Sequence, residues 1–500
     1  MRILHVGFGF RPFTGGGLIE YVEDLIAAQV AHGDTVAFFT AGRRYLWFRA
    51  PRLWRWRRRG VQVYEVINSP LVLDEFGSKN PRLDVSEPYT ERVLRETIAA
   101  FRPDVIHVQE LASLPSAVLE VVQQSGVPNL MTLQDYGPLC PVFRLYDYRG
   151  QICLQRDVGH KCVPCCSALS GTTGHLLNTT WRYEIRRVLG SHLAKFVWKH
   201  KDSLRRLRAV LHRATQRAPA AVPETVADDT GPPVADDSAQ AYQARRDTAV
   251  ARLQRMDLLI AQSTRVAEIY RALGVETDRL RTLNLTVDHL GRIKFRARTS
   301  IGSPLTFITL NGCAMVPKGA SIMRDAFLSL AALVPENSFR LLIYGSVDPA
   351  ARDLLALPQV EHRGIYHVRD LDRILEQAHV GIVPSIWEEA YGYTGIEMLA
   401  KGVPVIGNAR GGIVDYLKPN VTGWLNIANT ADGLAAILRE VIEQPEQVLA
   451  LNRKIAAQRS SLIKPMEVHR REMHALYEEA ARQRATSQAL SNNRVALQTT

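Results

Sequence analysis

Between Val380 and Gly407 the chain reads VGIVPSIWEEAYGYTGIEMLAKGVPVIG, and no other stretch limits the fold as strongly. VGIVPS and VPVIG are short apolar runs bounded by turn residues, as buried strands are. A glycine-rich loop separates them and leads into a short helical run, EMLAK. Gly402 suits the helix C-cap, and Pro404 prevents its continuation. The unit is therefore strand, glycine-rich loop, helix, strand. A helix starting near Gly392 to Thr394 leaves unpaired amides there, and an anion is their natural occupant. Glu389 lies in the loop and Glu397 about one turn into the helix, so both carboxylates can face one cleft.

The N-terminus repeats this logic. MRILHVGFGF is a buried-strand pattern, followed by Gly15, Gly16 and Gly17, a helix ending at His32-Gly33, and the strand pattern DTVAFFT. Glycines at a helix start let backbone approach a ligand closely. Further strand patterns are DVIHVQE, carrying His107, and NLMTL, leading into Gln134-Asp135. After DLLIAQS, Ser263 or Thr264 caps a helix that stops at Gly274. A second series starts at PLTFITLNGC, where Lys318-Gly319 opens the following helix and puts a mobile cation within reach of a pyrophosphate. SFRLLIYGS and NARGGIVDYL, with Gly411-Gly412, continue it. Alternation of this kind predicts an α/β protein, and 500 residues allow two or three domains.

No apolar run reaches the roughly 18 residues that span a bilayer, and the N-terminus reads as a strand, not a signal peptide. Both point to a cytoplasmic protein. Net charge is +12, which calls for an acidic partner: a nucleotide diphosphate, anionic lipid or nucleic acid. Residues 43–59, RRYLWFRAPRLWRWRRR, interleave arginines with Trp47, Phe48, Trp54 and Trp56 and hold no acid. That mixture suits the headgroup region of an anionic membrane; RNA is disfavoured because no RNA-binding module accompanies it. Residues 181–217 set eleven Lys or Arg against Glu184 and Asp202, above an apolar stripe at helical spacing. They predict a basic helical insertion lying on the same membrane. Residues 218–240 are rich in Pro, Ala and Asp and predict a disordered linker. Five of six cysteines fall between Cys140 and Cys166. Cys162 and Cys165 have the spacing of a metal knuckle, and Cys140 and Cys153 can complete a structural zinc site, with Cys166 and His160 as competitors. Reduced thiols and an iron–sulfur cluster are the alternatives.

Glu389, Tyr391-Gly392 and Glu397, with the trailing Gly-x-Pro-Val-Ile and Gly411-Gly412, resemble the donor-site signature of retaining glycosyltransferases of group 1, family 4. The resemblance implies a GT-B fold, two doubly wound Rossmann-like domains facing across a cleft. It places an acceptor-binding domain at 1–295, containing the Cys cluster 140–166, and a nucleotide-sugar domain at 300–460. A helix at 461–482 is expected to pack back on the first domain, before a disordered tail at 483–500. Implied roles are catalysis for Glu389, Lys318 and Gln134, and donor binding for Glu397, Gly16, Tyr391, Gly392, Tyr393, Thr394 and Gly395. His107 and Asp135 fall on the acceptor side. Transfer would need no cofactor. The acceptor would be a lipid-linked sugar or polysaccharide, met at the inner face of the plasma membrane.

Two departures stand out. Gln134 occupies a position where the family commonly has His, and Cys313 one where it has Arg; Arg410 is a candidate replacement for the missing cation. They leave two other readings in play, a non-catalytic protein that binds sugar nucleotide or membrane, and a nucleotide-sugar 2-epimerase of the same architecture.

Overall fold

The computed structural model describes residues 1–11, 16–45, 50–71, 77–167, 180–181, 184–185 and 236–498. Eight strands form a first sheet: β1 (Arg2–Val6), β2 (Thr35–Ala41), β3 (Arg52–Arg58), β4 (Val61–Ile67), β5 (Val105–Val108), β6 (Asn129–Leu133), β7 (Leu258–Ala261) and β8 (Leu280–Thr282). Their spatial order is β3-β4-β2-β1-β5-β6-β7-β8. A second sheet contains β9 (Leu305–Leu310), β10 (Phe339–Tyr344), β11 (Val360–Gly364), β12 (Val380–Val383), β13 (Val405–Asn408) and β14 (Gly423–Asn426), in the order β11-β10-β9-β12-β13-β14. All neighbours in it run parallel. Helices cover both faces of such sheets, so the central strands read as unbroken apolar runs. β12 and β13 are buried throughout.

Strand order reverses direction on either side of β1 and of β9. At such a reversal neighbouring loops part at the carboxyl ends of the strands and leave a crevice. The loops after β1, β9 and β12 carry Gly16-Gly17, Lys318 and Glu389, so topology alone gathers these residues.

β3 places part of residues 43–59 on the protein itself. Its residues pair antiparallel with β4 along the sheet edge, and acids distant in sequence hold much of the segment to the protein. Arg43 forms a buried ion pair with Glu65, and the Trp56 indole N–H donates to the same carboxylate at 2.8 Å. Arg58 meets Glu23 at 2.9 Å. Trp54 stacks on Tyr45 and remains 41% exposed beside exposed Arg55 and Arg57. A charged edge strand also resists pairing with another chain. Trp47 and Phe48 lie outside the described residues, as does nearly all of 181–217.

Order resumes earlier than the linker reading allowed, with a helix at Asp236–Leu253. Its buried face mixes Ala239, Tyr242, Ala249 and Leu253 with Arg245, Arg246 and Arg252. Arg245 pairs with Asp84 at 2.5 Å and donates to Gly137 O, while Arg246 donates to Leu139 O. Charge on the inner face hid this helix from periodicity.

The final helix, Met466–Gln498, crosses back to the first domain and continues past 482, where disorder was expected. Residues 483–498 contain no Gly or Pro to stop it, and the side chain of Ser487 accepts from Arg279 at 3.1 Å. Tyr477 of this helix is fully buried, and its hydroxyl accepts from Gln29 at 2.8 Å and lies 3.0 Å from His107 Nδ1. Tyr477→Phe orphans the buried Gln29 amide, a cost of about 1–3 kcal/mol. A urea titration should show the midpoint falling with little change in slope.

Candidate active site in the interdomain cleft

A cavity of about 530 Å³ lies between the two sheets, lined by Gly16, Gly17 and Glu20 from one side and by Lys318, Glu389, Tyr393, Thr394 and Glu397 from the other. An adjoining pocket of about 220 Å³ holds Gln134, Asp135, Trp387, Tyr391 and Gly392. Gly17, Lys318, Glu389 and Tyr393 line both. Gly17 is required by this crowding: a Cβ there would stand 2.8 Å from the Tyr393 ring.

Glu389 is fixed at its carboxylate and at its backbone. Lys318 forms an ion pair with one oxygen, and the Ser385 hydroxyl donates to the other at 2.6 Å. The Lys318 ammonium also sits 5.4 Å from the centre of the Trp387 ring, within cation–π range. Gly412 N–H donates to Glu389 O at 2.7 Å. Gly411 has φ of 59°, and a Cβ on it would fall 2.2 Å from Glu389 O. The Gly-Gly pair thus holds the loop by direct backbone contact. Its other anchor is Glu388, which sequence reasoning missed. Buried Glu388 accepts two hydrogen bonds from Arg265 of the first domain, at 2.7 and 3.0 Å, and one from Gly411 N–H.

Glu397 lies on the helix Tyr393–Lys401. Its Oε1 lies 2.7 Å from His289 Nε2, whereas Oε2 is buried with no hydrogen-bond partner. Burial raises the Glu397 carboxyl, and the His289 contact opposes that rise only in part. Burial alone would lower His289, but the hydrogen bond to Glu397 and the charges of Glu397 and Glu20, the latter 3.6 Å away, override it and raise the imidazole to about 9. His289 therefore carries a proton at neutral pH and bridges carboxylates of both domains. Its folded pKa exceeds the ordinary 6.5, so this stabilisation is full below pH 6.5 and is lost as pH rises through 9. The amount is on the order of 3 kcal/mol. Chemical unfolding at pH 7 and pH 10 should show that loss in the wild type and a smaller one in His289→Gln.

Gln134 is buried, and its Nε2 donates to Gln109 Oε1 at 2.6 Å. Its own Oε1 is buried without a partner. Asp135 is raised to about 6 by burial, against the Gly137 N–H and Arg245. Buried Glu110 is raised to about 8, by desolvation and then by the Asp135 charge. Glu110 is a second acid that the strand pattern gave no reason to select.

Several expected residues are placed elsewhere. His107 is fully buried, with Nε2 2.7 Å from Thr132 and Nδ1 near Tyr477 and Gln109, and it lines neither cavity. Gly395 packs under Tyr416, and a Cβ there would meet the phenol oxygen at 2.3 Å; it too lines neither cavity. Arg410 does not replace the missing cation, since its Nη1 lies 3.8 Å from Glu388. Cys313 is fully buried, which pushes its thiol up to about 12. The additional cation at the cavity is Arg11, paired with Glu23 at 2.9 Å.

The cysteines do not form the expected four-thiolate site. Cys153, Cys162 and Cys166 pack with Tyr242 in a small apolar cluster. Cys165, half-buried, accepts from Tyr148 N–H at 3.3 Å. Zinc would hold its sulfurs about 4 Å apart. Among the described residues the group whose ligand atoms lie within 4.8 Å of one another is instead Glu20, Asp24 and His289. Burial raises the thiols of Cys165 to about 11 and Cys166 to about 12.

Residues 318–458 match the family model described as glycosyl transferases group 1, and residues 16–158 match the glycosyl transferase 4-like domain. A putative colanic acid biosynthesis glycosyltransferase of Salmonella typhimurium is 26% identical over 196 residues, 37% of this chain and 48% of that protein. The D-inositol 3-phosphate glycosyltransferase of Rhodococcus jostii is 26% identical over 219 residues, 39% and 47% respectively. The chain thus matches about half the length of these relatives. Sucrose-phosphate synthase from Thermosynechococcus elongatus superposes with a TM-score of 0.59 at 18% identity, covering 96% of this chain and 99% of that one. Anabaena HepE in complex with UDP and glucose gives 0.53 at 15% identity, covering 95% and 99%. These two likenesses establish a shared fold.

Proposed function

The chain belongs to the group 1 glycosyl transferases, and on that premise we propose that it moves a sugar from a nucleotide-sugar donor to a saccharide acceptor with retention at the anomeric carbon. The observation that carries this reading is Glu397, with one oxygen on His289 and the other buried, unpartnered and at the cavity wall. A carboxylate so held accepts the hydroxyls of a ribose. The helix N-terminus at Tyr393 and Thr394, with Lys318, would meet the diphosphate as negative charge grows on it. Glu389 would bind hydroxyls of the donor sugar, and Gln134 Oε1 would accept from a sugar hydroxyl in the adjoining pocket. We assign transfer to these electrostatics, without a required cofactor.

The acceptor we favour is a lipid-linked or growing polysaccharide, in keeping with the colanic acid and amylovoran biosynthesis glycosyltransferases among the relatives. No helix among the described residues is long and apolar enough to cross a membrane, so contact would be peripheral, through exposed Trp54 and the basic edge of β3. Sedimentation with anionic liposomes tests this. Binding that collapses at high salt supports it; absence of binding at low salt rejects it.

A screen of nucleotide sugars for binding and turnover, with and without saccharide acceptors, tests the activity. Acceptor-dependent turnover is the expected result. Isomerisation of the donor without acceptor would favour an epimerase, and binding without turnover would favour a non-catalytic protein.

A further inference from the structure

We infer that Gln109 is a positioning residue: it fixes the orientation of the Gln134 amide so that a hydrogen-bond acceptor faces the cleft. This rests on the reading of Gln134 as a group that meets sugar hydroxyls. Gln109 is fully buried and lines neither cavity. It has three side-chain neighbours. Its Nε2 lies 2.9 Å from His5 Nδ1 and 3.1 Å from His107 Nδ1, and its Oε1 accepts from Gln134 Nε2 at 2.6 Å.

Counting donors decides which way these amides point. A primary amide has two N–H donors. With the nitrogen toward the histidines, each N–H meets one ring nitrogen and the carbonyl receives Gln134. Reversed, the carbonyl would receive both rings, and the nitrogen would face Gln134 alone. One buried N–H would then be left unpaired, which is unfavourable. The observed direction requires that each ring present a lone pair at Nδ1. Both rings are fully buried, and desolvation holds His5 at about 4 and His107 well below its ordinary value, so both are neutral at working pH.

The ring closes through the rest of the fold. His5 Nε2 lies 2.8 Å from Gln29 Oε1, Gln29 donates to Tyr477, and Tyr477 reaches His107. Gln134 branches from this closed circuit, its nitrogen committed to Gln109 and its oxygen unpartnered in a residue that lines the pocket. A sugar hydroxyl there must donate. At this position a histidine can take up a proton, whereas this amide offers a fixed acceptor.

A carboxylate presents oxygen whichever way it rotates, and that symmetry supplies the test. Gln109→Met is made in the wild type and in Gln134→Glu, and kcat and the donor KM are measured for each. In the wild-type background kcat should fall about tenfold or more with donor KM unchanged. In the Gln134→Glu background the same substitution should change kcat less than about twofold. Equal losses in both backgrounds would overturn the inference, because they would mark Gln109 as a packing residue. Gln109→Leu covers the case in which the methionine variant does not fold, since it also removes the acceptor for Gln134 without burying a charge. It should show the same dependence on background, and equal losses in both backgrounds would overturn the inference as well. Turnover by the wild type separates the two readings. Without it the transferase proposal fails; with it, only the positioning role is at stake.

Discussion

Glu397→Ala should lower kcat/KM for the donor by roughly 10²- to 10⁴-fold. Each hydrogen bond to a charged group contributes about 1.5–3 kcal/mol, and a ribose offers two hydroxyls. Free Oε2 is already desolvated, so the donor replaces no protein contact when it binds there. The loss should appear first in affinity, measured by calorimetry with a panel of nucleoside diphosphates. Alanine also strips the buried His289 imidazolium of one partner, so thermal unfolding must be recorded in parallel. Glu397→Gln keeps an acceptor oxygen and should fall between wild type and alanine. Unchanged nucleotide affinity in a folded Glu397→Ala protein would remove the ribose assignment.

Lys318→Ala should act on kcat. One preorganised donor to a developing negative charge is worth about 10²- to 10³-fold in rate. Lys318 is free to move toward a diphosphate because its side chain is 28% exposed and its present partner, Glu389, keeps Ser385 when the lysine leaves. A protein that only binds sugar nucleotides would lose affinity without any rate to lose. Steady-state kinetics with the best donor found in the screen makes that distinction. A variant with unaltered kcat would move leaving-group stabilisation to the helix N-terminus alone.

The missing cation shows how far sequence reasoning reached. Cys313 is a departure that the sequence shows, and Arg410, just beyond the signature block, is a candidate replacement for the missing cation. In the structure the loop after β13 carries Arg410 toward buried Glu388 in the loop after β12, and Glu388 also takes Arg265 from the other domain. Neither Glu388 nor Arg265 repeats in a pattern that periodicity detects. A similar limit applies to residues 43–59, which lack acids of their own and so read as a surface seeking anions. Glu65 and Glu23 supply those acids from β4 and the first helix. His107 was named for its chemistry, yet its strand lies in the sheet interior, where neighbours satisfy both ring nitrogens.

The sequence by itself determined the two alternating sheets, the glycine loop from Gly392, the Glu389–Glu397 spacing and Lys318 at its helix start. These are local features, set by short-range periodicity, turn chemistry and the needs of helix ends. Tertiary structure alone decided which carboxylate oxygen is free, which arginines are already paired, and that the Gln134 oxygen is left without a partner. Each depends on partners that separate parts of the fold bring together, such as Gln109 for Gln134 and His289 for Glu397. Burial lowers the pKa of His5, His107 and His289 alike, and of the three His289 alone ends up raised, because Glu397 and Glu20 more than offset its desolvation.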